Sequence, residues 1–230
     1  MEKIKVLGID GELQEEIKRF VEEESISSIL FFQTRAISLL QPSKVSNNIL
    51  ETYPLINSAV VDIVLPDTII IKTTKREPIA LWCSDACFKI DKYGVIFKES
   101  EKSEKPIIDS TKIASLGETV IEKDIMIPLI EILKELEDFQ ISRIDISTPT
   151  IRITTREGWD ILFVYNQSIL DQIIKLRMTI KEKIPIDKID TLNYIDLRFD
   201  DRVFFKFQST KPKKENPRGS ATCATLVYMG

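Results

Sequence analysis

Two cysteines four residues apart are the side chains whose spacing most directly allows chemistry. Cys83 and Cys87 flank a short polar segment that is typical of a turn between two strands, whereas Cys223 lies near the C-terminus. A disulfide between the first two is stereochemically reasonable if their α-carbons lie within about 7 Å. Two free thiols are the alternative. This spacing differs from a redox CxxC motif, and a metal site would need further ligands.

The composition removes most routes to catalysis. The 230 residues include no histidine, so no Ser-His-Asp or Cys-His arrangement and no histidine-ligated metal can form. The 7 glycines form neither GxGxxG nor GxxxxGKS nor GxxxxGKT, the sequences that hold nucleotide phosphates. Nothing in the spacing of the 36 acidic residues singles out a pair for general acid–base work. We therefore expect no enzymatic activity and no cofactor.

Charge and hydropathy indicate an ordinary globular chain. The formal net charge of −4 argues against a protein that grips phosphate backbones, so no nucleic-acid partner is expected. Hydrophobic residues make up 43% and charged residues 30% of the sequence, a balance that allows a buried core. No window approaches the roughly eighteen consecutive apolar residues that a membrane-spanning helix needs.

Residues 1–75 are predicted to form a first domain with the order β-α-α-β-β. An apolar strand precedes an amphipathic helix capped by Asp10, and a second helix ends before Pro54. Two β-branched runs follow, separated at residues 66–68 by a composition typical of a hairpin turn.

Residues 76–208 are predicted to form a second domain, a mixed β-sheet with two packed helices. Three short strands come first, then a solvated loop at 99–106 and a helix with Pro128 near its first turn. Further strands and a second helix lead to a C-terminal hairpin that turns at residues 200–201. Residues 209–230 lose the apolar periodicity and are expected to be a disordered tail. The fold class is therefore α+β.

Four segments in a fixed order carry a family resemblance that covers residues 4–207. They are VLGI, ETYPLINSAVVDIVLPDTIIIK, REPIALW with CFKIDKYGVIF beyond it, and NYIDLRFDDRVFFKF. Together they resemble the bacterial cell-division protein family FtsQ, called DivIB in Gram-positive bacteria. The chain departs from the family at Val164 and Tyr165, where a Leu-Gly pair is common, and in a longer segment between the first two helices.

The resemblance implies a POTRA domain at 1–75 followed by an FtsQ-type β domain at 76–208. It also implies a single-pass plasma-membrane protein of the division septum, with this portion extracytoplasmic and the membrane helix absent from this chain. The family is a non-catalytic divisome scaffold that holds FtsB-like (DivIC-like) and FtsL-like bitopic partners while septal peptidoglycan is made. A POTRA-type protein-transport or outer-membrane assembly factor is the alternative.

The resemblance places partner binding on the last hairpin, where the family receives an FtsB-type peptide by strand addition. The matching residues are Phe199, Asp200, Asp201, Arg202, Val203 and Phe204. Phe199 stands where the family has a tyrosine, so the ring is kept and the hydroxyl is lost. Because this strand is the last in the chain, we expect it at a sheet edge with unpaired backbone groups. Alternatively, Phe199, Phe204 and Phe205 are ordinary core and surface residues of a terminal strand.

Overall fold

The computed structural model describes residues 3–27, 40–100 and 105–208. Within these ranges the chain has an α+β fold with two sheets, a small sheet of three strands and a large sheet of nine. The predicted tail and Cys223 lie outside the described residues.

The small sheet and two helices form the N-terminal part. Its elements are β1 (Lys3–Leu7), α1 (Glu12–Ser27), α2 (Pro42–Thr52), β2 (Ile56–Val64) and β3 (Thr68–Lys75). The central strand, β3, pairs in parallel with β1 and antiparallel with β2. The first helix begins at Glu12, so Gly11 and not Asp10 directly precedes it. The prediction of Asp10 as the cap was wrong because the chain makes one further turn residue before the helix.

Alternation along the strands directs one face of the small sheet toward both helices. In β1 the side chains of Ile4 and Val6 are buried while their neighbours are exposed. The residues that fill the space between sheet and helices include Ile17, Val21, Val45, Ile49, Ile56, Ala59, Ile69 and Ile71. This core shares no residue with that of the large sheet.

The large sheet contains the remaining strands. These are β4 (Ala80–Cys83), β5 (Cys87–Ile90), β6 (Ile96–Glu99), β7 (Ile107–Asp109), β8 (Ile141–Ser147), β9 (Thr150–Thr155), β10 (Asp160–Val164), β11 (Leu192–Asp196) and β12 (Phe204–Phe207). Their order is β12-β11-β10-β9-β8-β7-β4-β5-β6. The strands β4, β7 and β8 are parallel, and β10 and β11 run in the same direction because antiparallel β9 separates them from β8. The carboxyl ends of these five strands therefore lie along one end of the sheet.

One short strand joins the two halves of this sheet. The strand β7 pairs in parallel with both β4 and β8, and the amide of Leu81 extends the pairing to the carbonyl of Pro106 at 2.9 Å. The sequence predicted a helix directly after the loop at 99–106 and no strand here. A strand of three residues is too short to show the alternation of apolar and polar residues. Because Ile107 and Ile108 directly follow a charged segment, the sequence pattern does not distinguish them from a loop.

Two helices cover one face of the large sheet. They are α3 (Lys123–Glu135) and α4 (Ile169–Lys183), and a short 3₁₀ helix spans Ile186–Thr191. Pro128 lies inside α3 and not near its first turn as predicted, because the helix begins at a run of polar residues before the apolar stripe. Its ring is buried, and its missing backbone N–H removes one hydrogen bond from the helix. In the described ranges no helix combines the length and apolar character needed to cross a bilayer.

Candidate partner-binding edge

The strand β12 lies at one edge of the large sheet. It pairs antiparallel with β11, with Asp196 opposite Phe204 and Ile195 opposite Phe205. Among the described strands, none flanks β12 on its other side. The last strand of the described chain is therefore placed where an added strand could pair with it.

Backbone hydrogen bonds show which groups of β12 face outward. The amide of Gln208 donates to the carbonyl of Thr191 at 2.6 Å, so Gln208 is turned toward β11. Since successive residues of a strand direct their backbone groups to opposite sides, Lys206 also faces β11. The amide and carbonyl groups of Phe205 and Phe207 consequently point away from the sheet. A row of outward-facing backbone amide and carbonyl groups is what a partner strand pairs with in strand addition.

The connection between β11 and β12 is longer than the predicted turn at residues 200–201. The strands end at Asp196 and resume at Phe204, so residues 197–203 form the loop. The buried Asp196 carboxylate accepts hydrogen bonds from the Arg198 amide at 3.1 Å, from its Nε at 2.8 Å and from its Nη2 at 2.7 Å. These bonds raise the pKa of the Arg198 guanidinium. They hold Arg198 against the last residue of β11, and the strand pairing ends there, earlier than apolar alternation predicted.

Two aromatic rings meet beside this edge. Phe199 in the loop and Phe204 in β12 form an edge-to-face pair with ring centroids 4.9 Å apart. Phe199 is 44% exposed and Phe204 is half-buried. Val203, Phe205 and Phe207 instead pack against the core beneath the helices. Phe199 and Phe204 thus lie together on the open face of the sheet, which is the face that α3 and α4 do not cover. Phe205 points to the opposite, helix-covered face.

Charged side chains of the same loop are exposed, and two of them form an ion pair. Arg202 donates from Nε to Asp201 Oδ1 at 2.9 Å and from Nη2 to Oδ2 at 2.6 Å. Hydrogen bonding to this guanidinium lowers the pKa of the Asp201 carboxyl. Asp200 is exposed, and Lys175 Nζ of α4 donates to the Phe199 carbonyl at 3.2 Å. The loop therefore presents carboxylates and a guanidinium beside the aromatic pair while α4 anchors it.

Three contributors to this edge were missed by sequence reasoning. Tyr194 and Lys206 are register partners. Tyr194 lies two residues from Asp196, and Lys206 lies two residues from Phe204, which is the partner of Asp196. Because side chains two apart on a strand point to the same face, Tyr194 and Lys206 lie on the open face with Phe204. Lys175 reaches the loop from a separate helix. Strand alternation could have found the first two, but no local signal in the sequence relates Lys175 to Phe199.

The predicted cysteine pair lies elsewhere on the large sheet. Cys83 and Cys87 are register partners at the end of the β4–β5 hairpin and form a disulfide, with α-carbons 4.1 Å apart. The amide of Ser84 closes the turn by donating to the Ala86 carbonyl at 3.0 Å. Because β7 to β11 separate β4 from β12, the disulfide and the candidate edge are different sites.

A scan against models of known protein families finds no match to this chain, and a search of curated proteins finds none. The geometry and chemistry of its own residues are therefore the basis for a functional proposal.

Proposed function

We propose that this chain is the extracytoplasmic part of a cell-division scaffold of the FtsQ/DivIB type. It would bind FtsB-like (DivIC-like) and FtsL-like bitopic partners at β12, on the outer side of the plasma membrane at the septum. The observation that carries the proposal is the place of β12 at the sheet edge, beside the Phe199–Phe204 ring pair. The proposed role is that of a scaffold without catalytic activity.

Three further features support this proposal. The small sheet and its helices have the order β-α-α-β-β, which is the order expected of a POTRA domain, and the large sheet follows directly. The six residues that match the family's partner-binding turn lie in one continuous loop and strand, from Phe199 to Phe204. The Cys83–Cys87 disulfide suits an oxidising compartment outside the cytoplasm.

Strand addition and aromatic contact have separate roles in the proposed binding. The outward groups of Phe205 and Phe207 give a partner strand its register through backbone hydrogen bonds. Since β12 has only four residues, it offers few such bonds, and apolar contact must supply much of the affinity. The half-exposed rings of Phe199 and Phe204 provide that contact at the start of the strand.

The proposal is tested by measuring the affinity of the full chain for purified FtsB-like and FtsL-like ectodomains. Phe199→Ala and Phe204→Ala should each weaken binding by about 1–3 kcal/mol, the cost typical of losing an aromatic anchor. Ile186→Ala is the matched control because Ile186 is 92% exposed and precedes the opposite end of β11. It should bind as the unaltered chain does.

The outcomes separate the proposal from its alternative. Unchanged binding by both Phe199→Ala and Asp201→Ala would remove the loop from the site. An unaltered chain that binds neither ectodomain would overturn the proposed function. Binding of unfolded outer-membrane polypeptides in their place would favour a transport or assembly factor.

A further inference from the structure

The turn that joins the two longest strands of the small sheet is apolar and exposed. It connects β2 to β3 and includes Leu65, which is 71% exposed, and Pro66, which is also exposed. Val64, the last residue of β2, is 47% exposed. We name Val64, Leu65 and Pro66 the apolar tip. Single exposed apolar residues are common on proteins, but three consecutive ones at the end of a sheet form one apolar patch.

Strand register places two lysines on the same side of the sheet as this tip. In β1, Ile4 is buried beneath the helices, so the alternating Lys3 and Lys5 side chains lie on the face that α1 and α2 leave uncovered. Lys3 and Val64 are both register partners of Thr68, so all three side chains lie in one row on this face. Since neighbouring strands are about 4.8 Å apart, the backbones at the two ends of this row are about 10 Å apart. The lysines and the apolar tip therefore belong to one surface.

The charges around the tip leave an excess of positive charge on this surface. Lys72, on the same face of β3, pairs with Asp62 of β2 at 2.9 Å. The Asp67 carboxylate in the turn is half-buried and accepts from the Thr68 hydroxyl at 3.1 Å. Among the residues that the structure describes, the two lysines of β1 form no ion pair. The acidic residues of α1 lie on the opposite, helix-covered side of the sheet.

We propose that the apolar tip and the lysines of β1 bind the surface of an anionic phospholipid bilayer. The tip would enter the apolar boundary beneath the headgroups. Lys3 and Lys5 would contact the lipid phosphates while their aliphatic stems lie along the apolar region. A stable protein interface buries about 800 Å² on each partner, which three turn residues cannot supply, whereas a bilayer accepts a narrow apolar tip without a matching pocket. A bilayer is therefore the occupant that fits this surface.

This inference goes beyond the proposed function and does not depend on it. The apolar tip belongs to the small sheet, whereas the candidate edge at β12 belongs to the large sheet. Lipid vesicles test the first and partner ectodomains test the second, so failure of either experiment leaves the other proposal in place. In a membrane-anchored protein, contact through the tip would fix the orientation of the small sheet relative to the bilayer.

The test measures sedimentation of the full chain with vesicles made of equal parts phosphatidylglycerol and phosphatidylcholine. Leu65→Ser should weaken binding about tenfold, because the variant loses the transfer of one leucine side chain out of water. Ile113→Ser is the matched control and should leave binding unchanged. Ile113 is 73% exposed, close to the value for Leu65, but it lies between β7 and α3 in the C-terminal part.

A second pair of variants tests the lysines. Lys3→Gln combined with Lys5→Gln should weaken binding about thirtyfold, roughly fivefold for each lysine near an anionic surface. Lys181→Gln combined with Lys183→Gln is the control, because it removes the same charge at the same spacing from exposed positions in α4. It should change binding little. In the unaltered chain, binding should weaken at about 0.5 M salt because exposed charges are screened.

Fluorescence reports whether the tip itself enters the bilayer. In Leu65→Trp the new indole should emit at a shorter wavelength when the anionic vesicles are added, because it moves into the apolar boundary of the bilayer. Trp82 and Trp159 are 7% and 2% exposed, so their own emission should change little. Ile113→Trp places an indole at a similarly exposed position away from the tip and should show no such shift.

Four results would overturn the proposal. The first is that the unaltered chain does not sediment with anionic vesicles. The second is equal binding to vesicles of phosphatidylcholine alone, which would leave the lysines without a role. The third is unchanged binding both in Leu65→Ser and in the variant that lacks Lys3 and Lys5, which would place the contact on another surface. The fourth is a dimer in analytical ultracentrifugation that Leu65→Ser abolishes, without vesicle binding, which would make a second copy of the chain the occupant.

Discussion

A single glutamine joins the second covering helix to the end of a central strand. The side chain of Gln172 in α4 is 1% exposed and lies against Val164, the last residue of β10. Gln172 Oε1 accepts from the Val164 amide at 2.9 Å, and Gln172 Nε2 donates to the Val164 carbonyl at 2.8 Å. The amide side chain thus replaces the backbone of a neighbouring strand at this position.

Replacing this side chain by an apolar one of similar length should destabilise the fold. Gln172→Met leaves the buried Val164 amide and carbonyl without partners, so we expect the free energy of unfolding to fall by about 2–4 kcal/mol. Gln167→Met, at an exposed position just before α4, is the control and should change it little. Urea unfolding followed by circular dichroism measures both, and an unchanged midpoint for Gln172→Met would contradict this assignment.

The disulfide is the second prediction at the residue scale. With Cys83 and Cys87 bonded, titration of the unfolded chain without reductant should find one thiol, and after reduction all 3 cysteines should react. Because the bond closes a loop of only five residues, its loss in a double alanine variant should cost about 2 kcal/mol of unfolding free energy. Three reactive thiols before reduction would show that the pair is not oxidised.

At the scale of elements, the short strand β12 makes a distinctive prediction about amide exchange. Its residues alternate between groups directed to β11 and groups directed outward, as the Gln208 amide shows. In the chain alone, the amides of Phe205 and Phe207 should exchange quickly while that of Lys206 is protected. Binding of an FtsB-like ectodomain by strand addition should slow exchange at Phe205 and Phe207 specifically.

Hydrogen exchange followed by NMR at single residues checks this alternation. Protection gained equally at all three residues would indicate general covering of the hairpin rather than strand addition. Protection of Phe205 and Phe207 before any partner is added would show that the outward edge of β12 is already paired within the chain.

Elements in which apolar residues recur at a regular spacing were predictable from the sequence. Elements that form only through contacts with distant parts of the chain were not. The apolar stripe of α4 and the alternation of β9 each repeat often enough to identify the element. The three residues of β7 do not, because that strand exists only through pairing with β4 and β8. The long β11–β12 loop depends on the buried Asp196 carboxylate, which alternation along the strand does not reveal.

The candidate edge shows the same division between local and distant contributions. The residues from Phe199 to Phe204 are consecutive, and the family resemblance selected them together. The contact of Lys175 in α4 with the Phe199 carbonyl joins two segments that are distant in the sequence. No local pattern relates these two residues, so this contact could not be derived from the sequence.

At the scale of the whole molecule, one arginine connects the two parts of the chain. Arg76 follows β3 and donates from Nε to the Pro54 carbonyl in the N-terminal part at 2.9 Å. Its Nη1 lies 2.5 Å from Asp91 Oδ2 in the C-terminal part, and the side chains are 13% and 3% exposed. The other Asp91 oxygen accepts from the amides of Tyr93 and Val95, which fixes the carboxylate in its turn.

Loss of this connection should separate the unfolding of the two parts. Arg76→Met leaves Asp91 buried without its cation, an arrangement that costs about 3–5 kcal/mol when one partner of a buried pair is removed. Both tryptophans lie in the C-terminal part, so their fluorescence reports on that part alone, whereas far-ultraviolet circular dichroism reports on both. In the unaltered chain the two urea transitions should coincide, because unfolding of one part breaks the buried pair that stabilises the other. In Arg76→Met the fluorescence transition should move to lower urea and precede the circular dichroism transition.

Two further variants make this prediction specific to the connection. Arg76→Lys keeps the charge but lacks the fork that reaches Pro54 and Asp91 together, so its transitions should separate less. Arg152→Met is the control, because it removes an arginine of the large sheet that is 52% exposed and whose Nε lies 4.0 Å from Asp160 Oδ2. The fluorescence and circular dichroism transitions of this variant should still coincide. Coincident transitions in Arg76→Met, at the midpoint of the unaltered chain, would mean that the two separate cores are coupled by other contacts and that Arg76 only fills space between them.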